Sequence, residues 1–160
     1  MNGNDYKNLL SQAIITTIED LAFIQLIESE AVRGAGDAAG AGAGEDYLQD
    51  MLSVYLPVKS RYGVIIMSAS KAILKETARN IFALDPDAPV SEDMVNDTIA
   101  ELLNTVSGQF MRAITPKDEF YELGLPVIGS FEMNEIGKEA VDCAFETENG
   151  DKLFISYAFL

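Results

Sequence analysis

Residues 89–113, PVSEDMVNDTIAELLNTVSGQFMRA, decide how this chain folds, because they encode one long helix with two unlike sides. Ser91 precedes an apolar periodic run and is followed by Glu92 and Asp93. A helix N-terminus favours just such a capping hydroxyl and negative charge. Val95, Ile99, Leu102, Val106 and Phe110 recur at spacings of three and four, which gathers them into one apolar stripe. Asp97, Glu101, Asn104 and Gly108 keep their own 4-3-4 spacing. At about 100° per residue they fall within about 60° of one another, opposite the stripe. A carboxylate and a carboxamide one turn apart therefore point away from the core. Gly108 sits beside them, and a glycine inside a helix costs about 1 kcal/mol relative to alanine. Close approach of another molecule, or close packing within the fold, would offset that cost.

Working upstream, DPDAP at 85–89 stops a preceding helix of about 70–83. Ser68 or Ser70 caps that helix, and Ala72, Ile73, Thr77, Ala78, Ile81 and Phe82 are expected to face inward. Before it, YLQDMLSVYLPV at 47–58 and YGVIIMS at 62–68 read as strands. Their short connection, Lys59-Ser60-Arg61, predicts an antiparallel hairpin, and Pro57 suits a strand end or an edge. Residues 34–44, GAGDAAGAGAG, read as a flexible surface loop. They carry neither a GK[ST] ending nor a GxGxxG match, so they are no phosphate cradle. The chain opens with a helix capped by Asn4 or Asp5 and running to about Leu21. Its apolar face is Leu9, Leu10, Ala13, Ile14, Ile18, Leu21 and Ala22, and Phe23 to Glu28 reads as a short strand.

Downstream of the long helix, ITPKDEFYELGL reads as a loop and Pro126 opens a strand, PVIGSFEM. Residues 140–147 and 152–159 are strand-like and joined by Glu148-Asn149-Gly150-Asp151. Asn-Gly between two such runs is the strongest short-range hairpin signal. Val141, Cys143 and Phe145 alternate on one strand, and Leu153, Ile155 and Tyr157 on the other, so Cys143 is expected in the core. Consecutive hairpins and segregated helices imply an α+β fold: a mostly antiparallel sheet with about three helices packed on one face. Residues 1–160 are expected to form a single domain.

Composition removes whole classes of function. Nearly half the residues are hydrophobic, and the net charge is −15 with only 11 Lys and Arg. Nucleic acids and anionic membranes need a basic footprint that is missing, whereas a partner presenting Lys or Arg would be attracted. With no histidine and one cysteine, Ser-His-Asp and Cys-His catalysis and the ordinary zinc, haem and iron–sulfur ligand sets are excluded. Residues 1–20 lack a basic segment followed by an apolar one, and no apolar run reaches membrane-spanning length, so a cytoplasmic protein is expected.

A solvated polar face is the plain reading of Asp97, Glu101 and Asn104. Three features argue for a site instead. Asn and Gly are poor helix formers, and Asp97 and Glu101 form a like-charge i,i+4 pair. The pattern Asp97-x-x-x-Glu101-x-x-Asn104, followed by Gly108, resembles the [D/S]-x3-E-x2-N signature of the CheC/CheX/FliY chemotaxis phosphatases. The 47–83 hairpin and helix, the strand opening Pro126-Val127-Ile128 and the final hairpin match as well. The first helix carries Ile15 and Ala22 where a second copy of the signature would need Asp or Ser and an amide, so one site is expected, as in the CheX-like branch.

The resemblance implies hydrolysis of the aspartyl-phosphate on a CheY-like receiver domain. Asn104 would orient the attacking water, Glu101 would pair with the receiver's lysine, and Asp97 and Gly108 would support docking. The protein would bring no cofactor of its own, because Mg2+ would arrive bound to the regulator. Two other readings compete: a non-catalytic module that docks a receiver or a flagellar-type switch, and a structural protein. In the latter, an exposed edge at FISYAFL would pair two copies into a homodimer, a state the CheX-like resemblance also allows.

Overall fold

A computed structural model describes residues 1–30, 50–59, 63–131 and 139–159. Among these, three helices lie against one face of a six-stranded antiparallel sheet. The chain runs α1 (Gly3–Ala22), β1 (Ile27–Glu28), β2 (Met51–Val58), β3 (Gly63–Ser70), α2 (Lys71–Ile81), α3 (Glu92–Ile114), β4 (Val127–Ile128), β5 (Ala140–Glu146) and β6 (Lys152–Phe159). The strand order is β1-β5-β6-β3-β2-β4. This is the α+β class that the patterning predicts. The Gly/Ala segment at 34–44 and the turn at 60–62 lie outside the described residues.

The two expected strand pairs form, both antiparallel. β2 pairs β3 from Met51↔Ser70 to Val58↔Gly63, and β5 pairs β6 from Ala140↔Ala158 to Glu146↔Lys152. At the second turn Gly150 takes φ +83°, which glycine adopts without a Cβ clash. Its N–H donates to Thr147 O at 2.9 Å. Val141, Cys143 and Phe145 face Tyr157, Ile155 and Leu153, and all six are buried.

The chain's end differs from expectation in one respect. Residues 154–159 of FISYAFL are no edge, because β6 lies between β5 and β3 and pairs with both. The sheet's edges are the two-residue strands β1 and β4. The homodimer edge expected at the C-terminus is therefore corrected: long-range pairing with β3 has already used it. Of the expected 23–28 and PVIGSFEM strands, Ile27–Glu28 and Val127–Ile128 pair as strands among the described residues, and positions 132–133 lie outside them.

The core forms where the α3 stripe meets the sheet. Val95, Ile99, Leu102, Val106 and Phe110 are all buried. They share one cluster with Leu10, Ile14 and Ile18 of α1 and with Leu56, Ile65, Met67 and Ile155 of the sheet. The Phe110 and Tyr157 rings meet edge to face at 5.2 Å, and Tyr157 also packs on Tyr6 and Phe159. β3 is buried along its whole length, which suits its nearly unbroken apolar run. Its second face carries a smaller cluster of Val64, Ile66 and Ala158 with Tyr55, Phe131 and Phe154.

Two local details depart from the sequence reading. α1 is capped by Asn2 rather than Asn4 or Asp5: Asn2 Oδ1 accepts from Asp5 N and Asp5 Oδ2 from Asn2 N, a reciprocal capping box. On α2 the inward face is Ile73, Leu74, Thr77 and Ala78, while Ala72, Ile81 and Phe82 are exposed. Leu74 takes the place expected for Ala72 because the inward face is centred between Ile73 and Leu74.

Burial pushes the Cys143 thiol up from 9.0 to about 12, with the nearby Lys7 ammonium opposing only in part. The unfolded chain therefore releases this proton near pH 9, and the folded chain holds it. The folded state binds more protons in that window, so stability falls as pH rises from about 9 towards about 12. The gap in unfolding free energy between wild type and Cys143→Ala should narrow by up to about 1.4 kcal/mol per pH unit there, as denaturant titrations would measure.

Candidate functional site on the outer face of the long helix

The buried stripe of α3 fixes the helix's rotation, and that rotation turns the opposite side outward. Ser91 caps the helix, its hydroxyl accepting from Met94 N at 3.2 Å. Asp97, Glu101 and Asn104 are all exposed, and Gly108 is half-exposed. Residues three and four apart on a helix have Cβ atoms about 5–6 Å apart, so the three side chains stand in a row about 10 Å long. Among the described residues none of the three has a hydrogen-bond or ion-pair partner. Two carboxylates and a neutral amide are thus presented free to solvent.

Together with Thr98 and Ala100 of the same helix they line an open groove of about 450 Å³. The rest of its lining is apolar and is made by Ile81, Phe82 and Pro126. Ile81 and Phe82 are 36 % and 43 % exposed, against the inward orientation expected of them. The helical periodicity places Ile81 near the inner face, but α2 ends there and the chain leaves through Ala83 at φ +50°. The groove opens at that point, so the last turn overhangs it.

Two local hydrogen bonds and one distant one hold this rim. Leu84 N donates to Arg79 O at 2.8 Å, Arg79 Nε to Ala88 O at 3.3 Å, and Asn80 Nδ2 to Ala22 O at 2.6 Å. Pro126 arrives from the segment after α3. Lys59 N donates to Glu122 O and Gly124 N to Pro57 O, laying this segment along the end of β2. A Cβ at Gly124 would lie 3.1–3.2 Å from Pro57 atoms, so glycine permits the close approach. Tyr121 Oη donates to Gly108 O at 3.4 Å and ties the segment back to α3.

Gly108 itself has no packing reason inside the fold, since an added Cβ there would meet nothing within 4 Å. Of the two explanations the sequence left open, internal close packing is removed. On α1, Glu19 is exposed but Ala22 is buried and Ile15 half-buried, so that helix presents no carboxamide beside its carboxylate. Among the described residues no group of three or more Cys, Asp or Glu could hold a metal ion, and no helix is long and apolar enough to cross a membrane. Sequence reasoning singled out Asp97, Glu101, Asn104 and Gly108, which the structure places on one outward face, but gave no sign of the apolar residues beside them. The one local signal that could have marked them was the pairing of Ile81 and Phe82 just before a helix stop.

A helix laid on an antiparallel sheet thus presents a free carboxylate–amide row on an open face rather than in a closed cavity. The family model of the chemotaxis phosphatase CheX matches residues 54–139, a span that contains this whole row. The chain belongs to the CheX family. CheX from Vibrio vulnificus superposes with a TM-score of 0.67 at 16 % identity, covering 99 % of this chain and 98 % of that one. A CheX–CheY complex with BeF3 and Mg2+ from Borrelia burgdorferi matches with a TM-score of 0.67 at 18 % identity, over 96 % of each chain. FliY from Thermotoga maritima matches at 0.59 and 12 % identity, over 97 % of this chain and 86 % of that one. No curated protein matches the chain significantly.

With open space over Gly108, Gly108→Ala should stabilise the isolated protein by about 0.5–1 kcal/mol, read as a higher denaturation midpoint. A drop in stability would show that the helix needs the missing side chain for its own packing.

Proposed function

We propose that this protein hydrolyses the aspartyl-phosphate of a CheY-like receiver domain, using the free outer face of α3. The observation that carries the reading is the exposed, unpartnered Glu101–Asn104 pair, on a chain that belongs to a chemotaxis phosphatase family. An acyl phosphate is already activated, so its hydrolysis is limited by positioning and by charge stabilisation rather than by a protein nucleophile. This suits a chain without histidine whose one cysteine is buried.

Asn104 enters the receiver's phosphorylated pocket and orients a water in line with phosphorus. A carboxamide both donates and accepts hydrogen bonds and stays neutral beside the phosphoryl oxygens. Glu101 pairs with the lysine at the receiver's phosphate site, and this charge-assisted contact sets the angle of approach. Asp97, one turn earlier, adds a supporting contact to the receiver. Gly108, with open space above it, lets the helix lie close to the partner's surface. Mg2+ comes with the receiver. The acidic surface, net −15, attracts a partner that offers a cation at the point of contact. The reaction takes place in the cytoplasm, on a single domain of this chain.

The test is phosphate release from a phosphorylated receiver with Mg2+, with and without the protein. Wild type should accelerate release. Asn104→Ala should lose about 100-fold in rate while still binding the receiver, the scale for removing one positioning group. Glu101→Gln should chiefly raise KM, by about tenfold, through loss of a charge-assisted bond. Phosphorylation-dependent binding with an unaltered phosphoryl lifetime would instead make the protein a docking module.

A further inference from the structure

The groove beside Asn104 has one polar wall and one apolar wall, and the proposed chemistry uses only the polar one. Exposed Ile81 and Phe82 are built rather than left over. The turn after them places Ala83 in a left-handed conformation that residues with a Cβ seldom adopt. The hydrogen bonds of Arg79, Asn80 and Leu84 brace the same turn against α1 and the 85–90 loop. Pro126, fixed through Gly124 and Pro57, completes the ledge from the opposite direction. Two chain segments far apart in sequence thus converge to hold apolar surface beside two free carboxylates.

We propose that this ledge is the specificity element for the partner: it seats an apolar side chain that the receiver carries next to its phosphorylated pocket. The proposal rests on the phosphatase reading above. Charge complementarity selects the occupant. The groove's lining includes Asp97 and Glu101 and no basic side chain, so whatever covers it must present a cation together with apolar surface. A second copy of this chain fits poorly, because a two-fold contact here would set Asp97 and Glu101 against their own counterparts. A receiver lysine on Glu101 and an apolar neighbour on Phe82 satisfy both walls at once, with Asn104 left for the water. Contacts of this kind are made equally before and during hydrolysis. They act on KM and Kd rather than on kcat, and they discriminate between receivers by the residue opposite Phe82.

The experiment uses the full chain and a phosphorylated receiver domain with Mg2+, measuring kcat and KM by phosphate release and Kd by titration. Phe82→Ser and Ile81→Ser should each raise KM and Kd about tenfold with kcat held within about twofold. Phe82→Leu should restore most of the affinity. Phe120→Ser, at a residue 93 % exposed and outside the groove, should change neither constant, and thermal melts check that each variant folds. Unchanged KM and Kd in both serine variants, with turnover still lost in Asn104→Ala, would overturn the ledge and leave the phosphatase reading standing. Full turnover in Asn104→Ala would overturn that reading, and the ledge with it. If Phe82→Ser alters only self-association in sedimentation, the ledge is a contact between copies and the proposal fails.

Discussion

Everything in this structure depends on burying one stripe of α3. Val95, Ile99, Leu102, Val106 and Phe110 are sealed between the sheet and α1. At about 25 cal/mol per Å2 of apolar surface, each such side chain contributes on the order of 2 kcal/mol. No polar residue on the other side of the helix offers a comparable return for facing inward. The rotation of α3 is therefore fixed, and Asp97, Glu101 and Asn104 are driven outward by what lies behind them. Phe110, edge to face on Tyr157, anchors the far end to the central strands.

That anchoring bears on the chemistry proposed for this helix face. A site built on an exposed row cannot exclude water by itself, so its precision must come from rigidity and from a partner that closes over it. α3 provides the rigidity: a capped N-terminus, 23 helical residues and continuous burial on one side. Its outer face pays for this in helix propensity, with Asn104 and Gly108 at positions where alanine would be more stable. Those losses are small beside the stripe's burial, so the fold tolerates them.

The groove also shows how a site can be assembled from unrelated parts. One wall is regular helix. The other consists of the end of α2, held by the Asn80 side chain on Ala22 O, and a proline delivered by an irregular segment held by backbone hydrogen bonds to β2. Irregular backbone is stable here because its polar groups find partners on neighbouring elements. The short edge strand β4 belongs to this same segment, so the sheet's edge and the groove's rim are positioned together.

Much of this was legible beforehand. The α3 stripe, the Asn-Gly hairpin, the alternation around Cys143 and the row from Asp97 to Gly108 all follow from periodicity, which is local and survives translation into three dimensions. The errors fall where periodicity ends. Ile81 and Phe82 continue an apolar pattern past the last turn of α2, and no local rule says that the neighbours stop covering them there. FISYAFL looked like an unguarded edge because its partner β3 lies more than 80 residues earlier in the chain. By itself, then, the sequence determined which residues α3 buries and which it presents, since a helix's two sides are set by spacing alone. Only the tertiary structure decided what stands beside that presented row, because the apolar wall is made by contacts between segments that no window of sequence contains.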